Sequence, residues 1–134
     1  MIKLRNILIE GLNKKDIQAI VDRVYPQIIK NLGRARKGTP KIQIHNNVLA
    51  FHSGIDNHPG GEKEHAEYDW NKNIIYLFKV ALSNEKLVIQ ALLHEYTHAT
   101  QDEKKYKAAR EKGYENNPYE KAAKAAEKNW KRYV

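Results

Sequence analysis

The chain contains no cysteine. Disulfides and thiolate metal sites are therefore excluded, and a fold of this size without disulfides fits a reducing compartment. No apolar run approaches the roughly 20 residues that a membrane helix needs. The stretch Met1 to Gly11 is apolar but short, carries Lys3 and Arg5, and is followed by no small-residue cleavage site, which argues against a secretory signal. These absences lead to the expectation of a soluble, cytoplasmic protein. Internal repeats are missing too, and the only biased segment is an alanine–lysine stretch near the end.

What is present suits one domain over residues 1–134: 134 residues, 41% of them hydrophobic and 30% charged. The net charge of +8 is unevenly spread. Residues 1–43 carry ten Lys/Arg against three acids, residues 44–103 four against nine, and residues 104–134 ten against four. Two basic ends thus flank an acidic middle. A basic chain with eight tyrosines could associate with nucleic acid, with any metal either structural or serving proteolysis on DNA. Nucleic-acid readers, however, interleave aromatics with basic residues, and the run Arg34, Arg36, Lys37, Lys41 has none. A solvated surface is the plainer reading.

The periodicity predicts an α+β fold. Residues 2–10 suit a strand or a short helix. Asn13 or Asp16 can cap a helix running to about Leu32, with Ile17, Ile20, Val21, Val24, Ile28 and Leu32 on one face. Pro26 predicts a kink or a break in it, and Gly33 a stop. After a turn at Gly38–Pro40 the period changes to two: Ile42, Ile44 and then Val48 to Phe51 read as strand. Residues 53–61 read as loop. His65 to Asp69 and Ile74 to Phe78 form the arms of a hairpin about a turn at Asn71 to Asn73. Ser83 or Asn84 caps a helix, apolar nearly all round, that continues to Ala99. Gly113 to Pro118 is loop, and Asn117-Pro118 opens a last helix to about Tyr133. The expected architecture is a small, mostly antiparallel sheet packed against an N-terminal helix, the central helix and a C-terminal helix.

The central helix carries His94-Glu95-Tyr96-Thr97-His98, an H-E-x-x-H pattern. Histidines four apart lie one turn above each other, so both rings can reach one Zn²⁺. The glutamate beside the first histidine can take a proton from a water that the metal activates. A pair of hydrogen-bonded core histidines is the structural alternative, but burying that trio without a metal demands several partners. A catalytic zinc also needs a third protein ligand. The six histidines stand at 45, 52, 58, 65, 94 and 98, so none follows the motif. The long form H-E-x-x-H-x-x-G-x-x-H fails, because Gln101 and Lys104 occupy the glycine and histidine places. The third ligand should then be acidic. Asp102 and Glu103 lie too close on the same helix, and Glu111 and Glu115 sit in or near the loop. Glu120 opens a helix that can lie antiparallel to the first. Its competing role is a capping box with Asn117. Glu127 is the reserve ligand. Ala122, Ala123, Ala125 and Ala126 would let that helix pack closely, although helix propensity alone accounts for them.

His94-Glu95-Tyr96-Thr97-His98, followed by Asn117-Pro118-Tyr119-Glu120 and an alanine-rich helix, resembles the gluzincin metallopeptidases, and the length resembles their minimal form, the minigluzincins. The resemblance covers roughly residues 64–130. It implies a zinc endopeptidase with an edge strand above its cleft, His94, His98 and Glu120 as ligands, and Glu95 as general base. Many gluzincins carry an acid four residues after the ligand glutamate to orient the first histidine. That place holds Lys124 here, so Glu127 or a backbone carbonyl must hold His94. The expected substrate is an extended peptide or unfolded protein paired with Ile74, Ile75, Tyr76, Leu77 and Phe78, although the same residues equally suit a sheet covered on both faces. Tyr114, Tyr119, His52 and His65 are candidates for a second oxyanion donor. Some relatives are latent, which raises the expectation that residues 1–11 or the C-terminal stretch, with Trp130 and Tyr133, cover the cleft; packing of those aromatics on the core is the competing reading.

Overall fold

The computed structural model describes residues 12–47, 64–113 and 116–134. The readings of residues 2–10, of Val48 to Phe51 and of the loop at 53–61 fall outside this set. Helix α1 spans Lys14–Leu32. Asn13 accepts from the Asp16 backbone N–H at 2.8 Å while the Asp16 carboxylate accepts from the Asn13 N–H at 3.3 Å, so both capping candidates act together. The helix runs through Pro26 without a break. Pro26 and Asp22, whose carbonyl loses its donor, are both exposed, so water can serve that carbonyl. Meanwhile Val24 and Ile28, buried on either side, hold the helix to the core. Gly33 ends it at φ +91°, a conformation that suits glycine.

The sheet has the order β1-β3-β2, with β1 at Lys41–His45, β2 at Ala66–Asp69 and β3 at Ile74–Phe78. The hairpin pair β2/β3 is antiparallel and β1 joins β3 in parallel, so the sheet is mixed. The turn is built by Asp69, whose carboxylate accepts from the N–H groups of Asn71 and Lys72, each at 2.9 Å. Asn73 takes the left-handed conformation at φ 56°, which asparagine tolerates.

Helix α2, Glu85–Thr100, carries the motif. Asn84 caps it by accepting from the Leu87 N–H at 3.0 Å. It packs between α1 and the sheet, with Val88, Ile89, Leu92, Leu93 and Tyr96 essentially inaccessible to solvent. Each such side chain contributes roughly 1.5–3 kcal/mol by burial. The loop after α1 is lashed to α2: the Tyr96 hydroxyl donates to the Gly33 carbonyl at 2.6 Å, and the Arg36 N–H to the Ala99 carbonyl at 3.0 Å.

The motif helix ends at Thr100, close to the expected Ala99. Gln101 takes an extended conformation, Asp102 caps a new helix α3 at Glu103–Ala109, and a 3-10 turn follows at Arg110–Lys112. Asp102 and Glu103 therefore do not share the motif helix. Helix α4, Pro118–Ala126, is capped by Asn117 and passes into a 3-10 helix, Glu127–Tyr133. Of its alanines, Ala123 is buried and Ala126 half-buried, whereas Ala122 and Ala125 face solvent, so close packing explains only the first two. No helix among the described residues is long and apolar enough to cross a membrane.

Candidate metal centre

One turn of α2 aims both motif histidines at the start of α4. Nε2 of His94 lies 3.1 Å from Glu120 Oε1, and Nε2 of His98 lies 3.0 Å from the same oxygen. These ligand atoms all fall within 4.8 Å of one another, so the buried His-His-Glu group could hold a metal ion. The competing capping role is taken by Asn117 alone, whose side chain accepts from the Tyr119 N–H at 2.9 Å. Glu120 is instead directed inward and is 6% exposed.

Every ligand candidate is held from behind. His94 Nδ1 donates to Glu127 Oε2 at 2.7 Å, so Glu127 occupies the place that Lys124 cannot fill, nearly one helical turn further on. His98 Nδ1 donates to Gln101 Oε1 at 2.8 Å, and Gln101 Nε2 donates to the Tyr119 carbonyl at 2.9 Å. The Tyr106 hydroxyl donates to the second oxygen of Glu120. The Tyr106 ring lies 5.1 Å from the His98 ring and 5.2 Å from Trp70.

The electrostatics follow from this arrangement. Burial opposes charge on His94, but its bonds to Glu120 and Glu127 prevail and raise it to about 10. Burial likewise opposes charge on Glu120, yet its bonds to His94 and His98 hold the carboxyl well below the usual range. Glu95 is 8% exposed, and burial pushes its carboxyl upward. It lies beside the group, 4.0 Å from His94 Nε2, and has no ligand role in it.

The group opens on a cleft of about 540 Å³ between β2 and α2, whose lining includes Tyr106 and Arg110. No protein-family model, curated protein or solved structure matches this chain.

The strand expected to hold substrate is misplaced in the sequence reading. Ile74, Ile75, Tyr76, Leu77 and Phe78 form the central strand, with backbone partners on both sides, and the last four are buried. They cannot pair with a peptide. The strand that lines the cleft is β2, which lies at the edge of the sheet among the described residues. The oxyanion candidates fare unevenly. His65 lines the cleft and is exposed, Tyr119 lies outside its lining, and Tyr114 and His52 are outside the described residues. Trp130 packs on the core, Tyr133 is 4% exposed, and no residue from 128 to 134 lines the cleft. The C-terminal stretch is therefore a core anchor and not a plug, while residues 1–11 are outside the description. Within the basic run, Arg36 donates to the Thr100 carbonyl and Lys37 pairs with Glu103 at 2.6 Å, so both are engaged by the fold.

Tyr106, Trp70 and Gln101 escaped the sequence reading as site residues. Gln101 entered it only as the failure of the long motif. Tyr106 and Trp70 carry no spacing signal, because they reach the histidines through folding alone.

Proposed function

We propose that this chain is a zinc-dependent metallopeptidase of the gluzincin kind, acting on extended peptide or unfolded protein. The observation that carries the reading is the convergence of His94 Nε2, His98 Nε2 and the Glu120 carboxylate at the base of a cleft, with buried Glu95 alongside. Two imidazoles and one carboxylate fit a catalytic zinc, which keeps three protein ligands and leaves a further position open. The same donor set suits iron(II). A buried carboxylate beside the site, with no ligand role of its own, favours the hydrolytic reading.

His94, His98 and Glu120 would hold the ion. Zinc bound there would supply Lewis acidity, acidifying a water and polarising the scissile carbonyl. Glu95 takes the proton of the attacking water and returns it to the leaving amine. Burial raises its proton affinity, which favours taking up that proton. Among the described residues β2, Ala66–Asp69, lies at the edge of the sheet and lines the cleft, so it is the strand along which an extended peptide would lie. Tyr106 and Trp70 wall that cleft on the His98 side.

Elemental analysis of the purified protein and of the H98A and E95Q variants tests the reading, together with hydrolysis of a casein-like unfolded substrate. About one zinc per chain is expected, lost in H98A and kept in E95Q, with E95Q slower by about 10²–10⁴-fold. Stoichiometric zinc in H98A refutes the ligand set. Equal hydrolysis by E95Q and wild type refutes the base, and a zinc-loaded wild type inert on unfolded substrates refutes the peptidase reading.

A further inference from the structure

We infer that Gln101 is a positioning residue: it selects the ring nitrogen that His98 presents to the metal and ties that choice to the placement of Glu120. The argument begins at an atom with no freedom. The Tyr119 carbonyl oxygen can only accept, and one end of the Gln101 amide lies 2.9 Å from it. That end must be the NH₂ group. The amide oxygen then faces His98 Nδ1 at 2.8 Å, and because it too can only accept, Nδ1 must carry a proton.

With Nδ1 committed, Nε2 is the ring atom left to bind a cation, and it lies 3.0 Å from Glu120 Oε1. A bare lone pair facing a carboxylate at that distance is repulsive. The two donor atoms are thus aimed at one point, where a metal ion can join them. Tyr119 directly precedes Glu120, so the bond that orients the amide also sets the height of the third ligand above α2. One side chain thus spans the two elements that supply the ligands.

Local structure explains why Gln101 can reach both. It is the C-cap of α2, with φ −89° and ψ 163°, and its own N–H donates to the His98 carbonyl at 3.0 Å. A helical residue there would carry its side chain round the helix. The extended cap turns it toward the start of α4 instead. The two histidines are also held by different chemistry, since His94 rests on the charged Glu127 and His98 on a neutral amide.

This inference rests on the metal-site reading above, and the test separates the two. Wild type, Q101M and Q101E are prepared with ¹⁵N-labelled histidine. The zinc dissociation constant is measured by competition with a chromogenic chelator. The His98 Nδ1 proton is followed in the zinc-loaded proteins by long-range ¹H–¹⁵N correlation. Wild type should show a slowly exchanging Nδ1 proton on His98. Q101M has a similar length but no hydrogen-bonding groups, so it should lose that signal and bind zinc about 10–100-fold more weakly. Q101E keeps the acceptor and loses the donor to Tyr119, so it should retain the signal. Zinc affinity in Q101M within twofold of wild type, or a protected Nδ1 proton persisting there, overturns the inference and leaves the metal site standing. If Q101M does not fold, loss of the signal in Q101E overturns it. A wild type that takes up no zinc overturns the metal reading itself.

Discussion

Replacing Glu120 by glutamine perturbs the site with the least change of shape. The carboxylate bonds His94 at 3.1 Å, His98 at 3.0 Å and the Tyr106 hydroxyl. An amide fills the same volume, but its NH₂ end cannot accept a hydrogen bond and its charge is gone. Two effects separate cleanly. Without metal, His94 loses one of the partners that hold it at about 10 against an ordinary 6.5. That whole difference corresponds to no more than about 5 kcal/mol, and Glu127 and Glu95 supply part of it. The variant should then be less stable by about 1–2 kcal/mol, which for a chain of this size lowers Tm by about 3–8 °C. With zinc at a hundredfold excess over its dissociation constant, wild type should gain about 2.7 kcal/mol. Losing a charged ligand should weaken binding at least as much as the roughly hundredfold that an outer partner can account for. At the same zinc concentration the variant should gain only about 0.4 kcal/mol. Thermal unfolding of both proteins, with chelator and with zinc, reads all four values. An equal zinc-induced shift in the two proteins refutes the assignment of Glu120 as a ligand.

Further outcomes follow from the same geometry. Glu127→Gln should leave His94 Nδ1 without a charged partner and weaken zinc binding about 10–100-fold, measured by chelator competition. In the chelator-treated protein, the raised His94 adds stability that is complete below 6.5 and lost as pH rises through about 10. The lowered Glu120 adds stability present above 4.5 and lost in acid. Both belong to one ion pair, so urea midpoints should peak between these limits and decline toward alkaline pH. Zinc should reverse that alkaline decline, because its uptake displaces the proton held on His94. Calorimetric heats in buffers of different ionisation enthalpy should report about one proton released. Asn84→Ala removes the cap of the motif helix and should lower stability by about 1 kcal/mol in denaturant melts. Deleting residues 130–134 should lower Tm without raising peptidase activity, because Trp130 and Tyr133 are core anchors outside the cleft.

Much of the fold and part of the site were legible in the sequence for local reasons. The cap at Asn13, the stop at Gly33, the hairpin turn ending at Asn73 and the cap at Asn84 each depend on neighbours within four residues. The motif histidines likewise need only the pitch of one helix. That the third member of the group should be acidic followed from the lack of a histidine after the motif, which left Glu120 with Glu127 in reserve. What stayed hidden depends on long-range topology. A strand just before the motif helix has no local mark that tells edge from centre, and β1, some thirty residues earlier, decides it by pairing parallel with β3. The separate helix after Thr100, which takes Asp102 and Glu103 off the motif helix, was hidden for another reason. Asp102 is a good cap, but Lys104 to Ala109 also suits a continued helix, so only the extended Gln101 reveals the end.

The C-terminal stretch gains a different meaning from the one that its charge suggested. Basic ends around an acidic middle invite the idea of a plug, yet Tyr133 settles against α1: Asn31 donates to the Tyr133 hydroxyl at 3.0 Å and Arg23 to the Tyr133 carbonyl at 3.0 Å. Glu127 begins this 3-10 segment, where α4 gives way to tighter winding. Gln90 on the motif helix reaches the Glu127 carbonyl at 3.5 Å, and the Glu127 carboxylate reaches His94. Anchoring Tyr133 at one end and Glu120 at the other therefore fixes the angle at which Glu127 meets the ring. The residue four places after Glu120 is Lys124, exposed and on the wrong face, so the orienting acid had to come from further along. The end of the chain thus backs the metal group, and of its residues from 127 onward only Glu127 lines the cleft.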